Sequence, residues 1–187
     1  MGNLTLGLQL GYWGALYPSA HVDMAVAAEK LGFDSVWTAE SWGNDCFTPL
    51  AWIGAHTSRI RLGTGVAQLS ARTPASCAMA TIALDHMTNG RMILGLGVSG
   101  PQVVEGWYGQ PYSKPVSRTR EYVSIIRQIL AREGPVTIEV VNNNYNDVDV
   151  YAVIGIFTLI IVFIKFGDYT HKTKKTPPNK KTFYCLW

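Results

Sequence analysis

Four apolar runs of strand length, each followed by a helical stretch, dominate the first 133 residues of this 187-residue chain. The most continuous run, Arg91–Val98, lacks the alternation of a half-buried strand and is typical of a strand buried on both faces. Asn89-Gly90 is predicted to end the helix before it, since both residues tolerate the left-handed conformation. Ser99-Gly100-Pro101 breaks the strand and opens the next helix, whose free N–H groups offer a seat for an anion or a cofactor.

Three units with the same layout come earlier in the chain. The predicted strands are Leu4–Trp13, Ser35–Glu40 and Arg59–Leu69. The predicted helices run from Ala20 to Leu31, from a cap at Thr48 to about His56, and from a cap at Thr73 to about Thr88, with a last helix over Arg118–Arg132. This alternation predicts an α/β fold with a parallel sheet, which fits either half of a TIM barrel or a doubly wound sheet.

Charge and cysteine usage exclude several classes of function. The net charge of +3 comes from residues 142–187, with six Lys and three Asp, because residues 1–141 hold ten basic and ten acidic side chains. No basic face runs through the globular part, so we expect no nucleic-acid partner. The three cysteines and four histidines lack metal-ligand spacing, and we predict no metal site; these residues are Cys46, Cys77, Cys185, His21, His56, His86 and His171.

A glycine pattern at the end of the fourth strand has two interpretations. Gly95-Leu-Gly97-Val-Ser-Gly100 matches the dinucleotide-binding spacing, and Glu121 lies about the right distance onward for a ribose partner. That fingerprint normally opens the first βα turn, with the acid at the end of the next strand. Here three units precede it and Glu121 lies in a helical run, so the context argues against a Rossmann site.

Other candidate site residues lie in the predicted strands and in the segments that follow them. Glu40 ends the second strand, where a barrel side chain points into the active-site mouth, although a solvated loop carboxylate is an equal reading. Gly63 and Gly65-Val66 place two glycines in the third strand, which indicates a bulge or a close approach of backbone to ligand. Four tryptophans are candidates to line a flat-ring pocket, although core packing explains most tryptophans: Trp37, Trp42, Trp52 and Trp107.

Several segments together resemble the luciferase-like monooxygenase superfamily, in particular its coenzyme F420-dependent oxidoreductases. They are LQLGYWGA, VWTAESWGND, FTPLAWIGAHTSRIRLGTGV, ARTPAS and LDHMTNGRMILGLGVSGPQVVEGWYGQPYSKPVSRTREY, within residues 3–138. The resemblance implies a TIM (β/α)8 barrel that binds a deazaflavin or flavin ring at the C-terminal ends of its strands. It also implies an enzyme that transfers a hydride between coenzyme F420 and a small organic substrate, with an FMN-dependent monooxygenase as the alternative.

The resemblance also assigns site residues. It places the ring behind a non-prolyl cis peptide at Gly65-Val66, and the cofactor side chain at Val98, Ser99 and Gly100. The catalytic residue is unknown, with Gln9 and Glu40 as candidates. Some relatives carry an acidic residue where this chain has Gln9, which makes proton donation from that position doubtful. The family implies a cytoplasmic protein, and a homo-oligomer is a candidate state.

The chain departs from the family after residue 138. A complete barrel needs roughly 250 residues, and only the first four βα units can be read here. The predicted division is a half-barrel over 1–138, a polar linker over 139–149, an apolar segment over 150–166 and a basic tail over 167–187. The sequence therefore indicates a partial TIM barrel with an unrelated apolar, Lys-rich tail, in a truncated and impaired enzyme. A non-catalytic half-barrel or a membrane-attached remnant is the alternative.

The apolar segment itself has three readings. As a helix, Val150–Ile164 would span about 22 Å, short of the roughly 30 Å hydrocarbon core of a membrane. Including Tyr151 at one rim and Lys165-Phe166 at the other makes a short transmembrane helix a candidate, with membrane anchoring as the alternative location. A buried helix and a β-prone segment rich in Ile, Val and Phe are the competing interpretations.

Overall fold

Helices and strands alternate along the chain in the predicted order. The computed structural model describes residues 5–11 and 18–136 together with two later strands, 161–165 and 184–186. The strands up to residue 136 are β1 (Gly7–Gln9), β2 (Ser35–Thr38), β3 (Arg61–Thr64), β4 (Ala67–Gln68) and β5 (Met92–Gly97). The helices are α1 (Pro18–Lys30), α2 (Phe47–His56), α3 (Pro74–Met87), α4 (Pro101–Val104) and α5 (Pro115–Ala131).

The first strands form a parallel sheet in the spatial order β1-β2-β3-β5. Leu8 pairs with Val36, Val36 with Leu62, and Leu62 with Met92, so the register is continuous across the sheet. A doubly wound sheet reverses its strand order at a switch point. This order follows the chain without a reversal, as in the winding of a barrel, and the predicted parallel α/β fold is confirmed.

The predicted third strand is wrong in one respect, because it is broken in two. The chain leaves β3 after Thr64 and resumes as β4 at Ala67, which pairs with Leu96 of β5. The peptide bond between Gly65 and Val66, at the break, is cis. The break therefore falls where the resemblance implied a cis peptide.

The two faces of the sheet have different neighbours. Val36, Leu62 and Leu94 are fully buried and belong to the core with the helices, where α2 and α3 supply Leu50 and Ala78. Side chains alternate between faces along a strand. Gln9, Trp37 and Gly63 form the next register row and therefore lie on the opposite face, which we call the inner face.

Helix ends follow the predicted chemistry at one site and depart from it at another. Thr73 caps α3, accepting a hydrogen bond at its Oγ1 from the Ser76 N–H at 3.2 Å. The sequence predicts Thr48 as the cap of α2, but Thr48 lies inside that helix. The Asp45 carboxylate accepts from the N–H groups of Phe47 and Thr48, each at 2.8 Å, because a carboxylate satisfies two free donors at once.

The end of α3 matches the predicted turn. Asn89 and Gly90 both have positive φ angles, 56° and 79°. The Gly90 N–H returns to the Asp85 carbonyl oxygen at 2.9 Å, which closes the helix in the manner of a left-handed cap.

The later strands bear on the predicted tail. β6 (Ile161–Lys165) pairs antiparallel with β5, and β7 (Tyr184–Leu186) pairs antiparallel with β6. Over 161–165 the helical interpretation of the apolar segment is therefore wrong, since these β-branched and aromatic residues pair as a strand. The rest of that segment, with the linker and most of the basic tail, lies outside the described residues. Among the helices that the structure describes, none has the length and apolar character of a membrane span.

Candidate functional site

Residues predicted from separate parts of the sequence meet at the C-terminal edge of the sheet. Gln9 ends β1, Glu40 follows β2, Gly65-Val66 joins β3 to β4, and Val98-Ser99-Gly100 follows β5. Parallel strands bring their carboxyl ends to one edge, which is where α/β folds bind their ligands.

Gly65 and Val66 are held by both neighbouring strands. The Gly65 N–H donates to the Thr38 carbonyl oxygen at 2.7 Å, and the Val66 carbonyl oxygen accepts from the Glu40 N–H at 3.2 Å. On the other side, Val66 fills the space beside Gly97, where an added Cβ would lie 2.5 Å from Val66 Cγ2. The turn is thus fixed against β2 and β5 together.

Gln9 reaches the same place from β1. It is exposed, and its Oε1 lies 3.2 Å from the position that a Cβ on Gly65 would take. The amide therefore stands beside the Gly65 backbone on the inner face. Neutral amides donate and accept hydrogen bonds but do not release a proton at ordinary pH, so this position offers orientation rather than acid catalysis.

Glu40 lies at the predicted strand end but does not face an open mouth. Only 4% of it is exposed, and Oε2 accepts from the Gln68 N–H at 2.7 Å and from Arg72 Nη1 at 2.9 Å. Oε1 accepts from Arg72 Nη2 at 2.5 Å. With both oxygens engaged, the carboxylate is an anchor between β2 and the chain after β4. A catalytic role for Glu40 stays a prediction.

Arg72 is the partner that sequence reasoning missed. Burial lowers its pKa, but the hydrogen bond and charge of Glu40 outweigh burial and raise the pKa above its usual range. Its guanidinium also stacks over the Phe47 ring, 4.8 Å from the ring centre. The sequence offers no local signal for this pair, because 32 positions separate its members.

Cys46 and Cys77 lie near this ion pair and are inert. Burial raises the pKa of Cys77 to about 11, and burial also raises that of Cys46. Both are therefore protonated thiols at neutral pH and poor nucleophiles. In the part of the chain that the structure describes, no three His, Cys, Asp or Glu side chains are placed to share a metal ion.

The turn after β5 has an unusual backbone. Ser99 adopts a left-handed conformation with φ of 57°, and its carbonyl oxygen accepts from the Tyr112 hydroxyl at 3.2 Å. The helix that follows, α4, is only four residues long. The anion or cofactor site predicted at this helix start therefore gains little from a helix dipole. The turn offers backbone groups and the Ser99 side chain instead.

A cleft adjoins this turn, between the end of β4 and the start of α5. It is lined by Leu69, Ser70, Val98, Tyr112, Ser113, Pro115 and Arg118. Its lining includes three hydroxyl-bearing side chains and one arginine among apolar groups. Of this set, only Val98 is a site residue that the sequence predicts.

The four candidate tryptophans are not equivalent. Trp37 lies on the inner face, next to Gly63 and Gly65. Trp52 belongs to α2, is 58% exposed, and packs its ring 4.8 Å from that of His56. Trp42 and Trp107 are exposed in the loops after β2 and α4. Only Trp37 is part of the sheet that carries the predicted site.

Comparison with known proteins places these features in a family. The family profile described as luciferase-like monooxygenase matches residues 7–144. A Mycobacterium tuberculosis protein, named as a candidate coenzyme F420-dependent oxidoreductase, is 66% identical over 134 residues, covering 72% of this chain and 39% of that protein.

Two solved structures share the fold. The coenzyme F420-dependent tetrahydromethanopterin reductase of Methanopyrus kandleri superposes with a TM-score of 0.64 at 25% identity, over 74% of this chain and 43% of that one. The oxygenating constituent of 3,6-diketocamphane monooxygenase from Pseudomonas putida, in complex with FMN, gives 0.65 at 20% identity, over 74% and 42%. The chain spans less than half the length of each of these proteins.

Proposed function

The chain belongs to the luciferase-like monooxygenase family, and we propose that it binds the deazaflavin coenzyme F420 for hydride transfer to or from a small organic substrate. One observation supports this most strongly. The residues that the resemblance assigns to the cofactor, drawn from separate turns, lie together at one edge of the sheet. The 66% identical relative, named for F420, supports the same cofactor.

The residues present suit a flat ring. The Trp37 indole fills the space in front of Gly63, but at Gly65 an added Cβ would have Gln9 Oε1 at 3.2 Å and Trp37 Cε3 at 3.5 Å as its nearest neighbours. A planar ligand can therefore approach the backbone at Gly65. Gly65 and Val66 would support the ring, and Val98, Ser99 and Gly100 would contact the cofactor side chain. When bound, the deazaflavin supplies hydride exchange at its C5 carbon. The chain's own part is orientation and exclusion of water.

An FMN-dependent monooxygenase is the close alternative, since flavin and deazaflavin share a ring shape. The structural likeness to an FMN complex supports the fold that such a protein needs. The F420-dependent and the FMN-dependent interpretations predict different cofactor preferences in the same titration.

A second candidate function is a non-catalytic half-barrel. The observation that favours it is the position of β6, which lies antiparallel on the edge of β5 where a further parallel strand of a complete barrel would pair. With β6 at this edge, the active-site opening of the barrel would be incomplete, and catalysis would then be impaired or lost. Cofactor binding and turnover are therefore separate parts of the proposal, and binding is tested first.

Titration of the full chain with F420 and with FMN, followed by absorbance, tests the proposal. We expect saturable binding of F420 that is tighter than binding of FMN, because the F420-named relative is much the closer in sequence. Preference for FMN would support the monooxygenase alternative. If neither cofactor binds under conditions in which a full-length relative binds, the half-barrel is the better description.

A matched pair of variants localises the binding. A Cβ at Gly65 would enter the proposed ring site. Its tightest contact there would be the flexible end of Gln9 at 3.2 Å, with Trp37 at an ordinary contact distance of 3.5 Å, whereas a Cβ at Gly134 would meet nothing within 4 Å. We expect Gly65→Ala to weaken binding by at least about tenfold, equivalent to 1.4 kcal/mol, and Gly134→Ala to leave it unchanged. Equal affinities for the two variants would place the ring elsewhere.

A further inference from the structure

The indole of Trp37 lies across the inner face and rests on glycines of the two neighbouring strands. A Cβ at Gly63 would overlap the six-membered part of the indole, and a Cβ at Gly7 would lie 2.8 Å from Trp37 Nε1. The Nε1–H donates to Ser35 Oγ at 2.9 Å, which fixes the orientation of the ring. Trp37 therefore spans from β1 to β3, and the two glycines provide the space for it.

Trp37 also borders the candidate site. An added Cβ on Gly65 would lie 3.5 Å from Trp37 Cε3 and 3.6 Å from Trp37 Cβ. Gln9 is its register partner on β1 and reaches the same glycine. Trp37 is only partly buried, unlike its neighbour Val36 on the helix-packed face, which is fully buried. The indole thus closes the inner face immediately before Gly65, while part of its surface stays accessible.

We propose that Trp37 is the floor of the ring site and sets the depth to which a planar tricyclic ligand enters the sheet. This inference rests on the proposed function and deepens it, since it assigns a specificity-determining contact to a residue on a strand rather than on a loop. An indole contacts a second aromatic system by its edge or by its face, and such contacts add affinity beyond the area that they bury. The bond to Ser35 keeps the indole from rotating into the site.

The competing explanation is that Trp37 only fills the barrel interior, as inward side chains of barrel strands commonly do. The two roles differ in one measurable respect. A floor residue senses the ligand directly, whereas a residue that only fills space does not.

Fluorine NMR of the full chain labelled with 5-fluorotryptophan distinguishes the two roles. Trp37→Phe identifies the Trp37 resonance by its disappearance, and Trp52, exposed on α2, serves as the internal control. On titration with F420 and, separately, with FMN, we expect the Trp37 resonance to shift in step with the absorbance change while the Trp52 resonance stays in place. A saturable absorbance change with an unmoved Trp37 resonance overturns the floor assignment and leaves the proposed function standing. Absence of both changes overturns the two together.

The cofactor affinities of variants at position 37 give a second measurement, which can still be interpreted when a variant is less stable than the unaltered chain. Trp37→Phe keeps an aromatic floor and should retain binding within about threefold, whereas Trp37→Leu should weaken it roughly 3- to 10-fold. The Trp37→Leu change also removes the ring that a Cβ at 63 would overlap, so Gly63→Ala should be tolerated better in that background than in the unaltered chain. Near-ultraviolet circular dichroism verifies folding of each variant. Equal affinity of the two folded position-37 variants would overturn the proposal.

Discussion

A single carboxylate organises the C-terminal end of β2. Glu40 accepts hydrogen bonds from Arg72 and from the Gln68 N–H, and its own backbone N–H and carbonyl oxygen bond to Val66 and to the Gln68 side chain. Glu40 therefore holds the Val66 side of the turn and the chain that follows it, while the Gly65 N–H bonds to Thr38. A buried charge of this kind is stable only while its partner is present.

Replacing Glu40 by Gln should lower the free energy of unfolding by about 3 kcal/mol, because the Arg72 charge loses its counterion in a site with little solvent. Urea unfolding followed by circular dichroism measures the difference. Glu121→Gln, an exposed position on α5, is the matched control and should change stability by less than about 0.5 kcal/mol. Similar values for the two variants would show that the ion pair does not support the fold.

At this scale the sequence predicted positions better than contacts. It placed Glu40 at a strand end, because strand ends can be read from runs of apolar residues and the turns that follow. Gln9 and Gly65 were predicted inside longer strands, and the structure places them at or directly after the ends of shorter ones. The sequence did not pair Glu40 with Arg72 or place Trp37 over Gly63, since both contacts depend on how strands and loops approach in space. Arg72 follows a predicted strand within a polar loop, and nothing local distinguishes it from a solvated arginine.

Among the elements, the start of β3 is attached to α1 through one side chain. The Glu29 carboxylate accepts from the N–H groups of Ser58, Arg59 and Ile60, the shortest of these bonds being 2.7 Å. Partial burial raises the pKa of Glu29, but the three backbone hydrogen bonds outweigh it, and the pKa lies below its ordinary value. The charged form is therefore favoured in the folded state.

Glu29→Gln should reduce stability by about 1 kcal/mol at pH 7, a modest value because the carboxylate is partly solvated. Since the folded pKa is the lower one, this contribution is complete above the ordinary carboxyl pKa and is lost as the pH falls from there through the lower, folded-state pKa. Urea unfolding of both proteins across that range measures it. A difference that stays constant, or that widens in acid, would contradict the assignment.

Element order was predictable, and element boundaries less so. The apolar runs and the Thr73-Pro74 signal located the strands and α3 correctly, because both depend on short-range chemistry. The break in the third strand could not be predicted from hydrophobicity, because the residues on both sides of the break are equally apolar. Only the two glycines and the family resemblance pointed to it. For α2, the proline in the first turn indicated Thr48 as the helix cap. Asp45 nearby instead accepts the hydrogen bonds from the first N–H groups of the helix.

The sheet combines parallel strands from the part of the chain that matches the family with two antiparallel strands from beyond it. The parallel strands up to β5 follow the order of a barrel, and β6, beyond the residues that the family profile matches, joins the sheet antiparallel. A pattern of side chains can indicate that residues 161–165 favour a strand, but it does not specify which edge they join. That pairing required the structure.

Hydrogen–deuterium exchange of the full chain, with and without saturating F420, tests the central claim that the C-terminal edge of the sheet binds the cofactor. The account predicts slower exchange on binding at residues 64–69 and 96–101, which form the turns around Gly65 and Ser99. Residues 57–61 and 88–92, at the opposite edge, should exchange at unchanged rates. Protection confined to that opposite edge, or none at the two turns while F420 is bound, would contradict it.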